Sequence, residues 1–116
     1  MARKSFTAKA SIVAVATDSG WKKFCANATH VLVLAPATVE SHTYTIEVTD
    51  DPDATSPVVR TLQTDIASPA NVAPPGSGLA KPMQELIGVK AFRIKSNGGI
   101  TDEDEARWHF VISEDY

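Results

Sequence analysis

The sequence predicts an all-β domain, an antiparallel β-sandwich of jelly-roll-like type with one long Pro/Gly-rich loop. Three observations predict it. Thr and Val are abundant while Leu is scarce, and seven prolines fall at intervals too short for long helices. Several segments alternate apolar and polar residues with the two-residue period of a half-buried strand. Six to eight short strands at roughly ten-residue spacing then imply an antiparallel sandwich or a small barrel. The two cleanest alternations favour two sheets, each keeping one wet face.

Phe6 to Ala16 alternates, with Phe6, Ala8, Ala10 and Ile12 on one face and Ser5, Thr7, Lys9 and Ser11 on the other. Asp18-Ser19-Gly20 ends it with turn chemistry. Trp21, Phe24, Cys25 and Ala28 recur at helical spacing, over a stretch short enough to fit one or two helical turns or a short strand. Val31-Leu32-Val33-Leu34-Ala35 is a continuous apolar run stopped by Pro36, the pattern of a central strand covered on both faces. From Glu40 to Thr49, His42, Tyr44, Ile46 and Val48 point one way and the intervening residues the other. Asp50-Asp51-Pro52-Asp53 makes the next turn, and Val58 to Thr64, entered by Pro57, reads as an edge strand.

Residues 65–82 form the long irregular stretch, where six prolines and glycines oppose regular pairing. Met83 to Ile87 fits a short strand, and Val89 to Ser96 another, closed by the turn Asn97-Gly98-Gly99. In the last strand Ala106, Trp108, Phe110 and Ile112 form the buried face, with Arg107 and His109 outside.

With 116 residues the chain suits a single domain, residues 1–116, with residues 1–5 as an N-terminal arm. Its size permits a core without disulfides or metal. The one cysteine, Cys25, has no internal partner. A net charge of −3 does not recruit nucleic acid or an anionic membrane. No apolar run approaches the ~20 residues of a membrane helix, and Met1-Ala-Arg-Lys-Ser5 is not followed by a signal-peptide core, so neither is expected.

No motif carries catalytic chemistry. His30, His42 and His109 lack zinc-site spacing, and His42 is expected to be a core-edge histidine bonded to backbone. The acidic clusters at Asp50, Asp51 and Asp53 and at Asp102, Glu103, Asp104 and Glu105 do not match a calcium loop and read as solvated turns. There is no G-x-S-x-G elbow, and Gly76-Ser-Gly78 and Asn97-Gly-Gly99 lack a phosphate loop's lysine and spacing. Cys25 beside Lys22 and Lys23 is weighed as an activated thiol and read as a small buried hydrophobe. The triplet Asn27-Ala28-Thr29 matters only in a secretory compartment. Catalytic residues, cofactors and metals are therefore all expected to be absent. A sugar-binding platform needs exposed rings, and the core phases of the strands leave Trp21, Phe24 and Tyr116 for that role.

One order of features goes further. The apolar strand Val31–Ala35 leads to Tyr44-Thr-Ile-Glu-Val-Thr-Asp-Asp51; a strand with Val59 and Leu62, the Pro/Gly-rich loop and Leu86-Ile-Gly-Val-Lys-Ala-Phe-Arg-Ile-Lys-Ser96 follow. Over residues 30–113 this resembles the small all-β virion structural proteins of tailed bacteriophages, capsid decoration (cement) proteins included. The resemblance implies a non-enzymatic protein of the virion, assembled in the host cytoplasm. It implies contacts to the major capsid protein or other virion subunits, and a homo-oligomer, taken as a trimer. Expected contact residues are Arg3 and Lys4 in a basic arm on an acidic chain, Trp21, Pro74 and Pro75 in the long loop, and Tyr116. The competing expectation is a carbohydrate- or receptor-binding module of a fibre or enzyme.

Overall fold

The computed structural model describes residues 3–64 and 70–115, Arg3 by its backbone alone. Among them are seven strands: β1 (Arg3–Ser11), β2 (His30–Leu34), β3 (Tyr44–Thr49), β4 (Arg60–Thr61), β5 (Ala80–Pro82), β6 (Ala91–Ser96) and β7 (Arg107–Asp115). No α-helix occurs among the described residues; single 3-10 turns lie at Gln84–Leu86 and Glu103–Ala106. The strands form two antiparallel sheets, one in the order β1-β7-β2-β5 and the other β4-β3-β6. The domain is all-β, as the composition predicts.

The alternation of β7 is realised in full. Trp108, Phe110 and Ile112 are completely buried, while His109 is exposed. They meet Ala10 of β1, Val31 and Val33 of β2, and Ile46, Phe92 and Ile94 of the second sheet in one core. Rings bridge the two sheets: Tyr44 meets Trp108 with centroids 5.0 Å apart, and Phe92 meets Phe110 at 5.4 Å. Each fully buried side chain of this size stabilises the fold by roughly 1.5–3 kcal/mol.

The segment between β1 and β2 joins the second sheet without becoming a regular strand. Asp18 bridges Lys95 and Lys22 bridges Phe92, both antiparallel, so the segment lies along the free edge of β6. Lys22 and Phe92 exchange both backbone bonds, at 2.7 and 2.9 Å. The register slips by one residue between the two bridges, a bulge located by Gly20 with φ +73°.

Several expectations need correction. The run Val31–Ala35 is central in its sheet but covered on one side only, because Leu32 and Leu34 stand on the outer face, each 37% exposed. The strand starting at Phe6 stops at Ser11; beyond it the chain turns toward the loop before β7. Glu40 to Thr43 precedes β3 instead of belonging to it, and Thr49 is buried, not outward. The edge strand at Val58 to Thr64 shrinks to Arg60–Thr61. Met83 to Ile87 is a 3-10 turn instead of a strand, and the strand lies just before it, at Ala80–Pro82 inside the stretch expected to be irregular. Pro82 is tolerated there because β5 is the sheet's edge and needs no outward N–H. In residues 21–28, Lys22 pairs as in a strand, and a turn then carries Cys25 and Ala28 inward.

The residues 1–5 expected to form an arm are strand from Arg3 onward, in register Arg3↔Asp115, Lys4↔Glu114 and Ser5↔Ser113; Met1 and Ala2 lie outside the described residues.

Candidate functional site

Two surface features stand out, at opposite ends of the first sheet. The first is an apolar groove on the outer face of β2, β5 and β7. It arises because β2 is aliphatic at every position after His30, so the strand that buries Val31 and Val33 must present Leu32 and Leu34 outward. Register places Pro82 and Val111 on either side of Leu32, and Ala80 and His109 on either side of Leu34. Leu32, Pro82 and Val111, with His30, Gln84, Ile87 and Ser113, line a groove of about 490 Å³, and Leu34, Ala80 and His109 continue the face beyond it. Ile87 and the nearby Leu79 are themselves exposed.

The second is a knob at Val13-Ala14-Val15, where β1 has ended. Val13 is 54% and Val15 90% exposed, yet the knob is not loose. The Val15 N–H donates to the Ile100 carbonyl at 2.8 Å, Ala16 N–H to Val13 at 3.0 Å, and Ile100 N–H returns to Ala16 at 3.1 Å. Val15 has φ 65°, the one positive φ at a non-glycine residue among the described residues. A left-handed conformation costs an L-residue roughly 1–2 kcal/mol, and a β-branched one is an outlier there. Strain of this kind persists where surrounding bonds hold it in place. The alternation of β1 breaks at Val13, where the outward phase held by Ser5, Thr7, Lys9 and Ser11 turns apolar, but nothing in the sequence marks the backbone of Val15 itself.

Beside the knob, Glu40 clasps the loop before β7. Its carboxylate accepts from the backbone N–H groups of Thr101 and Asp102 at 2.9 Å and from His42 Nε2 at 2.7 Å. These bonds, the two backbone ones foremost, hold the carboxyl below its ordinary value of 4.5. The partner of His42 is thus a carboxylate rather than the expected backbone. Gly98 makes room for its ring: a Cβ there would sit 3.1 Å from it. Tyr44 Oη donates to the Glu40 carbonyl at 2.7 Å, and burial, with the charges of Glu40 and Glu105, pushes the phenol up to about 12.

The acidic turns act as caps and ion-pair partners. Asp102 caps its own turn by accepting from Asp104 N–H, Glu103 and Asp104 bind Arg107, and Asp53 pairs with Lys23. Burial of Cys25 pushes its thiol up to about 12, the behaviour of a packed hydrophobe and not of a nucleophile.

The expected contact residues that are described lie in different surroundings. Lys4 is exposed on β1. Trp21 is half-buried, with the Arg93 guanidinium 4.5 Å over its ring. Phe24 packs against Phe92 and Phe110, 5.4 and 5.2 Å away. Pro74 and Pro75 are buried, and the Pro75 carbonyl accepts from Trp108 Nε1 at 3.0 Å, so these two prolines serve packing; among the described residues of the loop, Ala70, Asn71, residues 76–80 and Pro82 are exposed. The Arg3 side chain, residues 65–69 and Tyr116 lie outside the described residues. Compared with known proteins, the chain matches no protein-family model, no curated protein and no solved structure.

Proposed function

We propose that this chain is a non-enzymatic virion structural protein, a capsid decoration or cement protein that stabilises a phage head by contact with the major capsid protein or other virion subunits. The observation that carries this reading is the distribution of bare aliphatic side chains. They occur at three separate places: the knob (Val13, Val15), the outer sheet face (Leu32, Leu34, Ile87) and the loop before β4 (Val58, Val59). Isolated exposed aliphatics are ordinary. Clusters on several sides of a small domain suit a subunit with several neighbours, whose weak contacts add as avidity. Such a protein acts as a closed oligomer, a trimer in this proposal, and resides in the virion after assembly in the host cytoplasm.

A jelly-roll-like sandwich is part of the proposal, and the pairing supports it. Counting the segment at 18–22 as an irregular strand, the chain folds as nested antiparallel pairs: β1 with β7, the segment with β6, β2 with β5, and β3 with β4. Rolling one long hairpin so that β7 meets β2 and β6 meets β3 produces that nesting.

The sugar-binding alternative finds less support. None of the exposed large apolar side chains among the described residues is aromatic, and Trp21, its best ring, is covered by Arg93. The test is co-sedimentation with heads of the encoding phage that lack this protein, alongside a glycan array. Binding to heads, with a gain in their heat resistance, is the expected result; glycan retention abolished by Trp21→Ala, without head binding, would overturn the proposal.

A further inference from the structure

We propose that Asn97-Gly98 is a self-modification site, where the Gly98 nitrogen attacks the Asn97 side-chain amide with help from the Glu40–His42 pair and the Thr43 N–H. The chain has three asparagines, Asn27, Asn71 and Asn97, and all three are exposed. Asn97 alone is followed by glycine, which leaves the attacking nitrogen without a neighbouring side chain. Two features of the fold set it apart further. The first is an oxyanion donor. Asn97 N–H donates to the Thr43 carbonyl at 3.0 Å and so continues the β3–β6 ladder by one step. The returning bond, from Thr43 N–H, goes to the side-chain Oδ1 of Asn97 at 3.1 Å. That oxygen takes the charge when the side-chain carbonyl is attacked, and a fixed backbone N–H stabilises it. The Asn71 side-chain oxygen is held by the Gln63 side chain instead.

The second feature is a base. The Glu40 carboxylate accepts from His42 Nε2 at 2.7 Å, which places the proton of the neutral ring there and leaves Nδ1 as an acceptor. The ring turns its Cε1–Nδ1 edge to Gly98, both atoms lying 3.1 Å from where a Cβ would stand. At rest the Gly98 N–H donates to Ser96 Oγ at 3.2 Å, the long limit of such a bond, so the proton is weakly held. In the reaction that proton passes to His42 Nδ1 as the Gly98 nitrogen bonds to Asn97 Cγ, and the carbonyl electron pair moves onto Oδ1. Collapse of this intermediate breaks the Cγ–Nδ2 bond, and Nδ2 leaves as ammonia with the proton returned by His42. Water then opens the five-membered succinimide. Cleavage of the new Cγ–N bond leaves aspartate at 97, and cleavage at the main-chain carbonyl leaves an isoaspartyl link. Each chain reacts once, without a partner, so the non-enzymatic virion reading is untouched.

The test incubates the full wild-type chain at neutral pH, folded in buffer and unfolded in guanidinium. Proteolytic peptides are followed by mass spectrometry for replacement of NH2 by OH at each asparagine, and chromatography separates the aspartyl from the isoaspartyl product. The folded chain is expected to react at Asn97 at least fivefold faster than the unfolded chain, with Asn27 and Asn71 intact over the same period. His42→Gln keeps a donor for Glu40 but has no basic nitrogen. It is expected to slow the folded chain at least fivefold and to leave the unfolded rate unchanged, with circular dichroism checking that it folds. The comparison of folded with unfolded wild type needs no variant, so the test stands even if His42→Gln misfolds. A folded wild-type chain that reacts no faster than the unfolded one, or a folded His42→Gln chain that reacts at the wild-type rate, would overturn the proposal. So would reaction at Asn27 or Asn71 as fast as at Asn97.

Discussion

On the outer face of β2, β5 and β7, Leu32 and Leu34 stand in solvent between Pro82, Ala80 and Val111. On the outer face of β3 and β6 the corresponding positions hold Glu47, Arg93 and Lys95, all engaged. Arg93 Nε donates to Glu47 Oε1 at 2.7 Å, its guanidinium covers Trp21, and Lys95 Nζ donates to Thr17 Oγ1 at 2.9 Å. Both faces belong to sheets that bury the same core, so burial demand does not distinguish them. The polar face is satisfied from within the chain, largely by the segment at 17–22 that runs along β6. Among the described residues, the aliphatic face has no such cover. What differs is completeness: one surface is finished by local partners, and the other gains by meeting something else.

Four measurements test this difference between the two faces. The largest effect is expected at Phe110, which serves both sheets. Phe110→Ala should cost ~3–5 kcal/mol of unfolding free energy, measured by urea denaturation. A loss near zero would mean that the two faces do not back onto one core.

On the polar face, Arg93→Ala removes a charge-assisted bond and the cover over Trp21. It should cost about 1–2 kcal/mol and shift Trp21 fluorescence toward that of a wet indole. An unchanged spectrum would contradict the description of that face as finished.

The third point is pH, where the groups concerned lie on neither face. Cys25 and Tyr44 both have raised values, 9.0 to about 12 and 10.0 to about 12. The folded state therefore holds protons that the unfolded state releases, and stability is complete below pH 9 and falls as pH rises toward 12. Glu40 acts in the opposite sense: its contribution is present above 4.5 and is lost as pH falls through its lowered folded value. Melting curves across pH should show both losses, and Cys25→Ala should delay the alkaline one. An alkaline onset unchanged by that substitution would assign it to other groups.

The smallest effect on folding is expected on the aliphatic face. Leu34→Ser should change monomer stability by about 0.5 kcal/mol or less, since the side chain is already part-exposed. A loss of several kcal/mol would show Leu34 to be core, and the two faces would then not differ in kind.

Much of this molecule follows from local pattern. In β7, Trp108, Phe110 and Ile112 alternate with Arg107, His109, Val111 and Ser113, of which only Val111 is apolar, and a two-residue period then favours one inward face. The same holds for β1 and for the inward set Tyr44, Ile46 and Val48. Pattern falls silent where it is symmetric or broken. Val31 to Ala35 is apolar at every position, so nothing local says whether its second face is covered; only the arrangement of the other strands leaves Leu32 and Leu34 bare. The Pro/Gly-rich loop looks like surface, yet Pro74 and Pro75 turn inward because the Trp108 indole N–H, once buried, needs the Pro75 carbonyl.

Trp21 looks like an exposed ring until Arg93, seventy-two residues later in sequence, is placed over it. Val15 lies in the apolar run at 12–16 that breaks the alternation of β1, but its left-handed backbone is imposed by bonds to Ile100 across the fold. Composition and alternation thus determined the all-β class and the inward faces of the regular strands, because each residue's side there depends only on its neighbours along the strand. Which outer face stays bare, which ring is covered and which residue is strained were decided by tertiary structure, because each depends on groups far apart in the sequence that only packing brings into contact.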